Sequence, residues 1–304
     1  MIPRTSTAAR AGRARRRKGR VAWLFLAPFL VAFSASIVGP LVYAGYLSAY
    51  KKQLVGGTSF AGAENYLRAF SDPLFIEGVG RVLGFLAVQV PIMLGISLLA
   101  ALAIDSGRLG ATKGARILLF LPYAIPAVVA TLMWGYIFGG QFGLVGQVAR
   151  AAGLPTPDLL GSGLMMFSIG NIVTWSFMGY NMLIFYAALR SVPAEVYEAA
   201  EIDGAGEFRK AWAIKMPAIR PSLAVAVIFS VIGSIQLFNE PSVLQALSPA
   251  VITTNYTPNL YTYNLAFSGS QANYSAALAI LLGGMTVVIA YVAQWFVARR
   301  DRIL

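Results

Sequence analysis

Long apolar runs alternate with polar segments along this chain. The runs cover residues 21–48, 76–104, 115–138, 164–189, 222–247 and 274–297. About twenty apolar residues at 1.5 Å rise per residue cross a hydrocarbon core, and each run exceeds that length. A large soluble helical protein gives no account of six such runs in succession. The pattern therefore predicts an all-α integral membrane protein with six transmembrane helices. The polar segments carry turn and helix signals of their own. Residues 49–75 hold Gly56-Gly57-Thr58 and Ser71-Asp72-Pro73, with a short interfacial helix expected over 63–70. Residues 139–163 contain the rigid turn Leu154-Pro155-Thr156-Pro157, and 248–273 is rich in Tyr, Asn, Thr and Ser.

The runs themselves are interrupted. Pro91 lies in the second, Pro122 and Pro126 in the third, and Pro241 near the end of the fifth. Proline frees a carbonyl and kinks a helix, which a bilayer tolerates only where neighbours or cavity water satisfy the freed group. Small residues four apart, Gly80/Gly84, Gly135/Gly139 and Ser230/Ser234, allow close helix approach. Each serves ordinary packing. Together they also suit helices that move against each other.

Composition agrees with a membrane protein and charge gives an orientation. The 304 residues are 58% hydrophobic and 12% charged, against about 45–50% and about 25% for soluble domains. All but five of the 24 lysines and arginines, the exceptions being Lys51, Lys52, Arg68, Arg81 and Arg150, fall on one side of the six runs. The positive-inside rule then places both termini in the cytoplasm. The net charge of +12 is thus topological, and no nucleic-acid partner is implied. Residues 1–20 read as a basic, disordered cytoplasmic arm. The apolar run behind them is too long for a signal peptide, so the arm is expected to anchor and not to be cleaved. The rest, 21–304, is expected to be one membrane domain. There is no Cys and no His, which removes disulfides, thiolate metal sites and the commonest metal ligand and general base.

The segment 190–221 is longer than a turn requires. Pro193 suits a first helical turn, Glu195 and Glu198 suit the positive end of a helix dipole, and Gly204 follows Asp203 where an exiting chain often needs positive φ. A second helix is expected over 205–215, with Phe208, Trp212 and Met216 on one face, ended by Pro217 and Pro221. Such an amphipathic helix would lie across the cytoplasmic surface, tied to the fourth and fifth spans.

Glu198-Ala199-Ala200-Glu201-Ile202-Asp203-Gly204-Ala205, with Ile214-Lys215-Met216-Pro217 downstream, resembles the signature loop of the permease subunits of bacterial ATP-binding-cassette importers. Met216 stands where that family usually has Leu, a volume-conserving swap. Leu26-Ala27-Pro28, Asn65-Tyr66, Phe120-Leu121-Pro122 and Phe238-Asn239-Glu240-Pro241 resemble the sugar-importing, maltose and oligosaccharide branch. The resemblance spans roughly residues 20–300. It implies the importer-type permease fold and a coupling loop over 193–217 that docks on an ATPase subunit. Glu198 would be the acidic docking residue, Ala199 and Ala200 the small contact face, and Gly204 the break between helices, with Asp203 and Pro217 completing the motif. It also implies a second permease, two ATPase subunits and an extracytoplasmic sugar-binding protein as partners. No Gly-x-x-x-x-Gly-Lys-[Ser/Thr] phosphate loop occurs in the chain. ATP and Mg²⁺ would therefore be held by the ATPase partner, with no cofactor on this chain.

Depth within each run picks out side chains that could meet a solute: Gln89 in the second, Asn171 and Trp175 in the fourth, Gln236 in the fifth, and Asn239 and Glu240 further out. Amides, carboxylates and aromatic rings suit a sugar, but each polar group also suits an interhelical hydrogen bond. Glu240, beside Pro241, fits gating or docking of an external partner as well as sugar binding. Lys and Arg are absent from mid-span positions, which argues against an anionic solute. Importers of amino acids, phosphate or metal complexes are the nearest alternative. An ion-coupled transporter or channel would call for buried acids mid-span, and no catalytic constellation points to an enzyme.

Overall fold

The computed structural model describes residues 23–53, 57–107 and 110–299, with backbone only for 296–299. The expected disordered arm 1–20, Gly56, Arg108, Arg300 and Arg302 lie outside the described residues. Helix α1, Trp23–Ser48, contains a π turn at Ser34–Val38. A hairpin of β1 (Tyr50–Lys52) and β2 (Thr58–Phe60) follows, antiparallel with Tyr50 opposite Phe60. Asn65, in the short helix α2 (Glu64–Ala69), donates to the Ser48 and Tyr50 carbonyls at 2.8 and 2.9 Å and pins the hairpin to the end of α1. Helix α3, Pro73–Asp105, starts at an Asp72 cap whose carboxylate accepts from the Leu74 and Phe75 amides. It runs unbroken past Pro91.

The third apolar run differs from the single span expected over 115–138. Helix α4 (Thr112–Phe120) ends in a 3₁₀ turn, Leu121–Ala124, and α5 (Ala127–Phe138) leaves at 99° to it. Ile125 is driven to extended geometry, ψ 129°, because the residue before a proline is excluded from the helical region. Pro126 then has no N–H to continue the ladder. Among the described residues five helical segments are long and apolar enough to cross a membrane, one of them (Glu207–Gln245) carrying a local break, or six if the bent pair is one span.

Helix α6 (Leu144–Ala151) leads to α7 (Met165–Leu189), the central helix, which packs along α3. Gly179 of α7 touches the bent segment so closely that a methyl group there would collide with the Leu119 carbonyl. After α8 (Ala194–Ile202) and α9 (Glu207–Lys210), α10 (Met216–Ile235) crosses back. The fifth predicted span, 222–247, is also broken. The chain leaves the helix at Gln236 and restarts as α11 (Asn239–Gln245), with Pro241 inside its first turns and not at the break. The Ile235 carbonyl accepts from Asn259 Nδ2 at 2.8 Å. Helix α12 (Pro258–Phe267), capped by Thr257, lies in the connection rich in Tyr, Asn, Thr and Ser, for which the sequence reading named no helix, and α13 (Ala272–Arg299) is the last described element.

One buried cluster joins Val90, Met93, Leu94 and Ile104 of α3 to Met182, Phe185 and Leu189 of α7 and Ile219 and Ala226 of α10. A second, towards the hairpin end, joins Phe85, Ile169, Ile172, Leu244, Ile252 and Tyr256. Many large apolar side chains face outward, Phe25, Val88 and Leu99 among them. In lipid, which is as apolar as leucine, that exposure carries no hydrophobic penalty, and helix association rests on packing and hydrogen bonds. At the hairpin end the Asp72 carboxylate also accepts from Tyr261 Oη at 2.9 Å and Tyr274 Oη at 2.7 Å. Burial pushes the Asp72 pKa up, but these two bonds and the two amides outweigh it and hold it below the usual value. Burial and the neighbouring carboxylate push Tyr261 up to about 12.

Candidate coupling loop and solute pathway

The polar segment folds as two helices around a left-handed glycine. Pro193 caps α8, Glu195 sits in its first turn, and Gly204 has φ +74°. The Gly204 amide donates to Glu201 O at 3.0 Å and the Ala205 amide to Ala200 O at 2.8 Å, closing the end of α8. Glu198, Ala199, Asp203, Gly204 and Pro217 are all exposed, and Ala200 is half-buried. Three large apolar side chains also stand out from this loop: Ile202 is 88% exposed, Phe208 84% and Trp212 70%. Lys210 is buried beneath, its Nζ 2.9 Å from Glu201 and 2.7 Å from Glu207.

The second helix departs from the sequence reading. It starts at Glu207, not 205, and neither Pro217 nor Pro221 ends it. A π turn, Ala211–Lys215, carries α9 directly into α10. The Met216 amide bonds Ala211 O, five residues back, so the ladder has already changed register where Pro217 lacks its donor. The extra residue also turns Met216 away from Phe208 and Trp212. Met216 packs on the α3–α7 core while the other two face outward.

Beneath α8 lies a cluster the sequence reading missed. Lys215 Nζ is 2.6 Å from Asp105 Oδ2, the last residue of α3, and both side chains are under a tenth exposed. The ring of Tyr197, from α8, stands 5.6 Å from the same Nζ. The Tyr197 hydroxyl is buried without a partner among the described residues. Burial and then the Asp105 charge push its pKa up, against a smaller opposing effect of Arg190.

The mid-span candidates do not form one site. Gln89 and Asn171 line a cavity of about 530 Å³ between α3 and α7, with Thr174, Phe85, Phe167 and Arg81. Gln89 Nε2 reaches Thr174 Oγ1 at 3.4 Å, while Gln89 Oε1 and Asn171 Nδ2 are buried without partners among the described residues. Trp175 is elsewhere, edge-on to Trp134 at 5.7 Å. Gln236 lines a different cavity, about 480 Å³, together with the ring series Phe238, Tyr263 and Phe267, tilted against one another at centroid distances of 5.2 and 4.7 Å. Exposed Asn239 and half-buried Glu240 open α11 and line neither cavity. A further aromatic group sits at the 99° bend. Tyr123 stacks on Tyr180 at 4.7 Å and meets Phe177 edge-on at 5.8 Å. Tyr123 and Phe177 keep 42% and 40% of their surface open. Its only sequence signal was an aromatic beside Pro122 and a second pair three apart on one helix.

Comparison with known proteins agrees with this architecture. The family described as "Binding-protein-dependent transport system inner membrane component" matches residues 93–302. The diacetylchitobiose uptake system permease protein of Streptomyces coelicolor is 32% identical over 94% of this chain and 86% of its own length. The lactose transport system permease protein of Rhizobium radiobacter is 28% identical over 92% of this chain and 94% of its own. A crystal structure of a bacterial ABC transporter that imports the acidic polysaccharide alginate includes a chain of the same fold. That chain has a TM-score of 0.79 and 19% identity, with 95% of this chain and 99% of the other covered. The multi-pass helical architecture and a match over more than half its length lead to one assignment: the chain belongs to the binding-protein-dependent transport system inner membrane components.

Proposed function

We propose that this protein is the membrane-spanning permease subunit of an ATP-driven saccharide importer. The observation that carries the reading is the exposed Glu198–Gly204 loop, continuous through α9 and a π turn with the crossing helix α10. A rigid body pressed on α8 moves α10 with it. The excess of Lys and Arg on the side of this loop puts it in the cytoplasm, where a separate ATPase subunit holding ATP and Mg²⁺ would dock. Glu198 and Asp203 supply charge to that contact, Ala199 and Ala200 a small face, and Gly204 the turn. A second permease completes the pathway, and two ATPase subunits and an extracytoplasmic binding protein complete the transporter.

The saccharide assignment draws on relatives named for diacetylchitobiose and lactose uptake. It also draws on chemistry: the open surfaces of Tyr123 and Phe177 suit stacking on a pyranose ring, and Gln89 and Asn171 offer an amide acceptor and donor without partners among the described residues. The test is reconstitution with the second permease, the ATPase and the binding protein. Glu198→Lys is expected to abolish binding-protein-stimulated ATP hydrolysis, and undiminished stimulation would refute docking through α8. Deletion of the gene is expected to remove uptake of at least one saccharide from a panel of mono- and oligosaccharides. Normal uptake of all of them would refute the solute class.

A further inference from the structure

Neighbouring residues of α8 face opposite ways. Glu198 is exposed, whereas Tyr197 points inward to the Asp105–Lys215 ion pair. That pair joins the last residue of α3 to the π turn that opens α10, 110 residues along the chain. Lys215 uses one carboxylate oxygen, Oδ2. The Tyr197 ring stands 5.6 Å from Lys215 Nζ, and its hydroxyl is buried and without a partner among the described residues. A buried hydroxyl without a partner is unfavourable, and such a group asks for an explanation. A buried ion pair gains most when further hydrogen bonds satisfy its remaining lone pairs.

We propose that Tyr197 is a latch: when α8 is pressed inward, its hydroxyl donates a hydrogen bond to the Asp105 carboxylate and ties the docking helix to the end of α3. In the state described here the latch is open. No proton leaves either group. Tyr197 keeps its hydroxyl hydrogen, Asp105 its charge, and Lys215 its contact with Oδ2. The π turn at Lys215, a register that adjusts locally, lets α8 approach without unwinding α10. α10 follows α8 through the chain in any case. The latch adds α3, the helix packed along α7, so that one input moves both sides of the bundle. Tyr197 and Asp105 are thus positioning residues for transport. This rests on the proposal that α8 is the docking helix.

The test is Tyr197→Phe in the assembled transporter in proteoliposomes, with solute uptake and ATP hydrolysis measured together. The variant keeps the ring and removes a partnerless hydroxyl, so a purely structural role leaves thermal stability equal or higher and uptake unchanged. The latch predicts equal or higher stability, normal co-purification of the ATPase, and uptake per ATP lowered about tenfold, the effect of one hydrogen bond on a coupled step. In an Asp105→Asn/Lys215→Met background the same change is expected to add less than about twofold, because the acceptor has lost its charge. Unchanged uptake per ATP in Tyr197→Phe would overturn the latch, as would an undiminished effect in the neutral background. Glu198→Lys, run in parallel, reports on docking alone through co-purification of the ATPase.

Discussion

Lys215→Met removes one charge from a pair that is shut away from water. Lys215 and Asp105 meet at 2.6 Å with 9% and 8% of their side chains exposed. Methionine follows the unbranched lysine stem, so little packing is lost. What remains is a carboxylate at the end of α3 without its cation. Breaking a buried pair from one side costs about 3–5 kcal/mol, whereas replacing both members by neutral groups is often neutral or stabilising. The cation–π contact with Tyr197 at 5.6 Å is long and adds at most about 1 kcal/mol. Lys215→Met and Asp105→Asn should therefore each lower stability by about 3–5 kcal/mol. The double variant should lie within about 2 kcal/mol of the parent, giving a coupling energy of several kcal/mol. Unfolding from detergent is often irreversible, so the assay is the half-life of the monodisperse peak at fixed temperature for the four proteins. Losses that simply add in the double variant would refute the ion pair as the source of the effect.

Two further outcomes follow from the site geometry. Asp72 is held ionised by Tyr274, Tyr261 and two backbone amides. Its folded pKa lies below the ordinary 3.8, so its stabilisation is complete above about pH 4 and lost as pH falls through the lowered value. Thermal midpoints between pH 3 and 6 should show an acid-side loss in the parent that shrinks in Asp72→Asn, and an equal loss in both would refute it. Because Tyr261 is raised to about 12, its donation to Asp72 persists throughout the neutral range. At the bend, Tyr123→Ala removes the ring stacked on Tyr180 at 4.7 Å. If that platform meets the solute, uptake should fall about fivefold to tenfold, the scale of a single aromatic contact worth about 1–1.5 kcal/mol. The ATPase should still co-purify, and unchanged uptake would remove Tyr123 from the pathway.

What the sequence made legible was whatever depends on length, sign of charge or a single residue's backbone freedom. The apolar runs found the crossing helices because bilayer thickness fixes how many residues a helix needs. Gly204 was legible as a left-handed break, and φ is +74°, because glycine after the last helical residue has few other uses. The short helix near Asn65 was legible as well. Proline told where the third run would break but not by how much. The angle of 99° is reached in a bent segment that packs closely on Gly179, a contact between distant segments. The π turn was not legible because it is a choice of hydrogen-bond register that the same residues could make as an ordinary helix. It was this choice that moved Met216 off the face of Phe208 and Trp212.

The solute candidates show the same limit more sharply. Counting residues at 1.5 Å each gives the depth of a side chain in the bilayer. It does not give the direction in which the side chain points, which changes by about 100° with every residue of a helix. Gln89, Asn171 and Gln236 were chosen by depth. Direction then put the first two in one cavity and Gln236 in another. Asp105 and Lys215 were passed over for a related reason. Asp105 directly follows an apolar run, where a charge ordinarily marks the membrane boundary and nothing more, and Lys215 lies in the polar segment 190–221, where charges are expected. Their pairing depends on the end of α3 and the start of α10 arriving together beneath α8. The loop thereby holds two charges and a tyrosine hydroxyl out of water beneath the exposed face of α8, an arrangement that a linker which only turned the chain would not need.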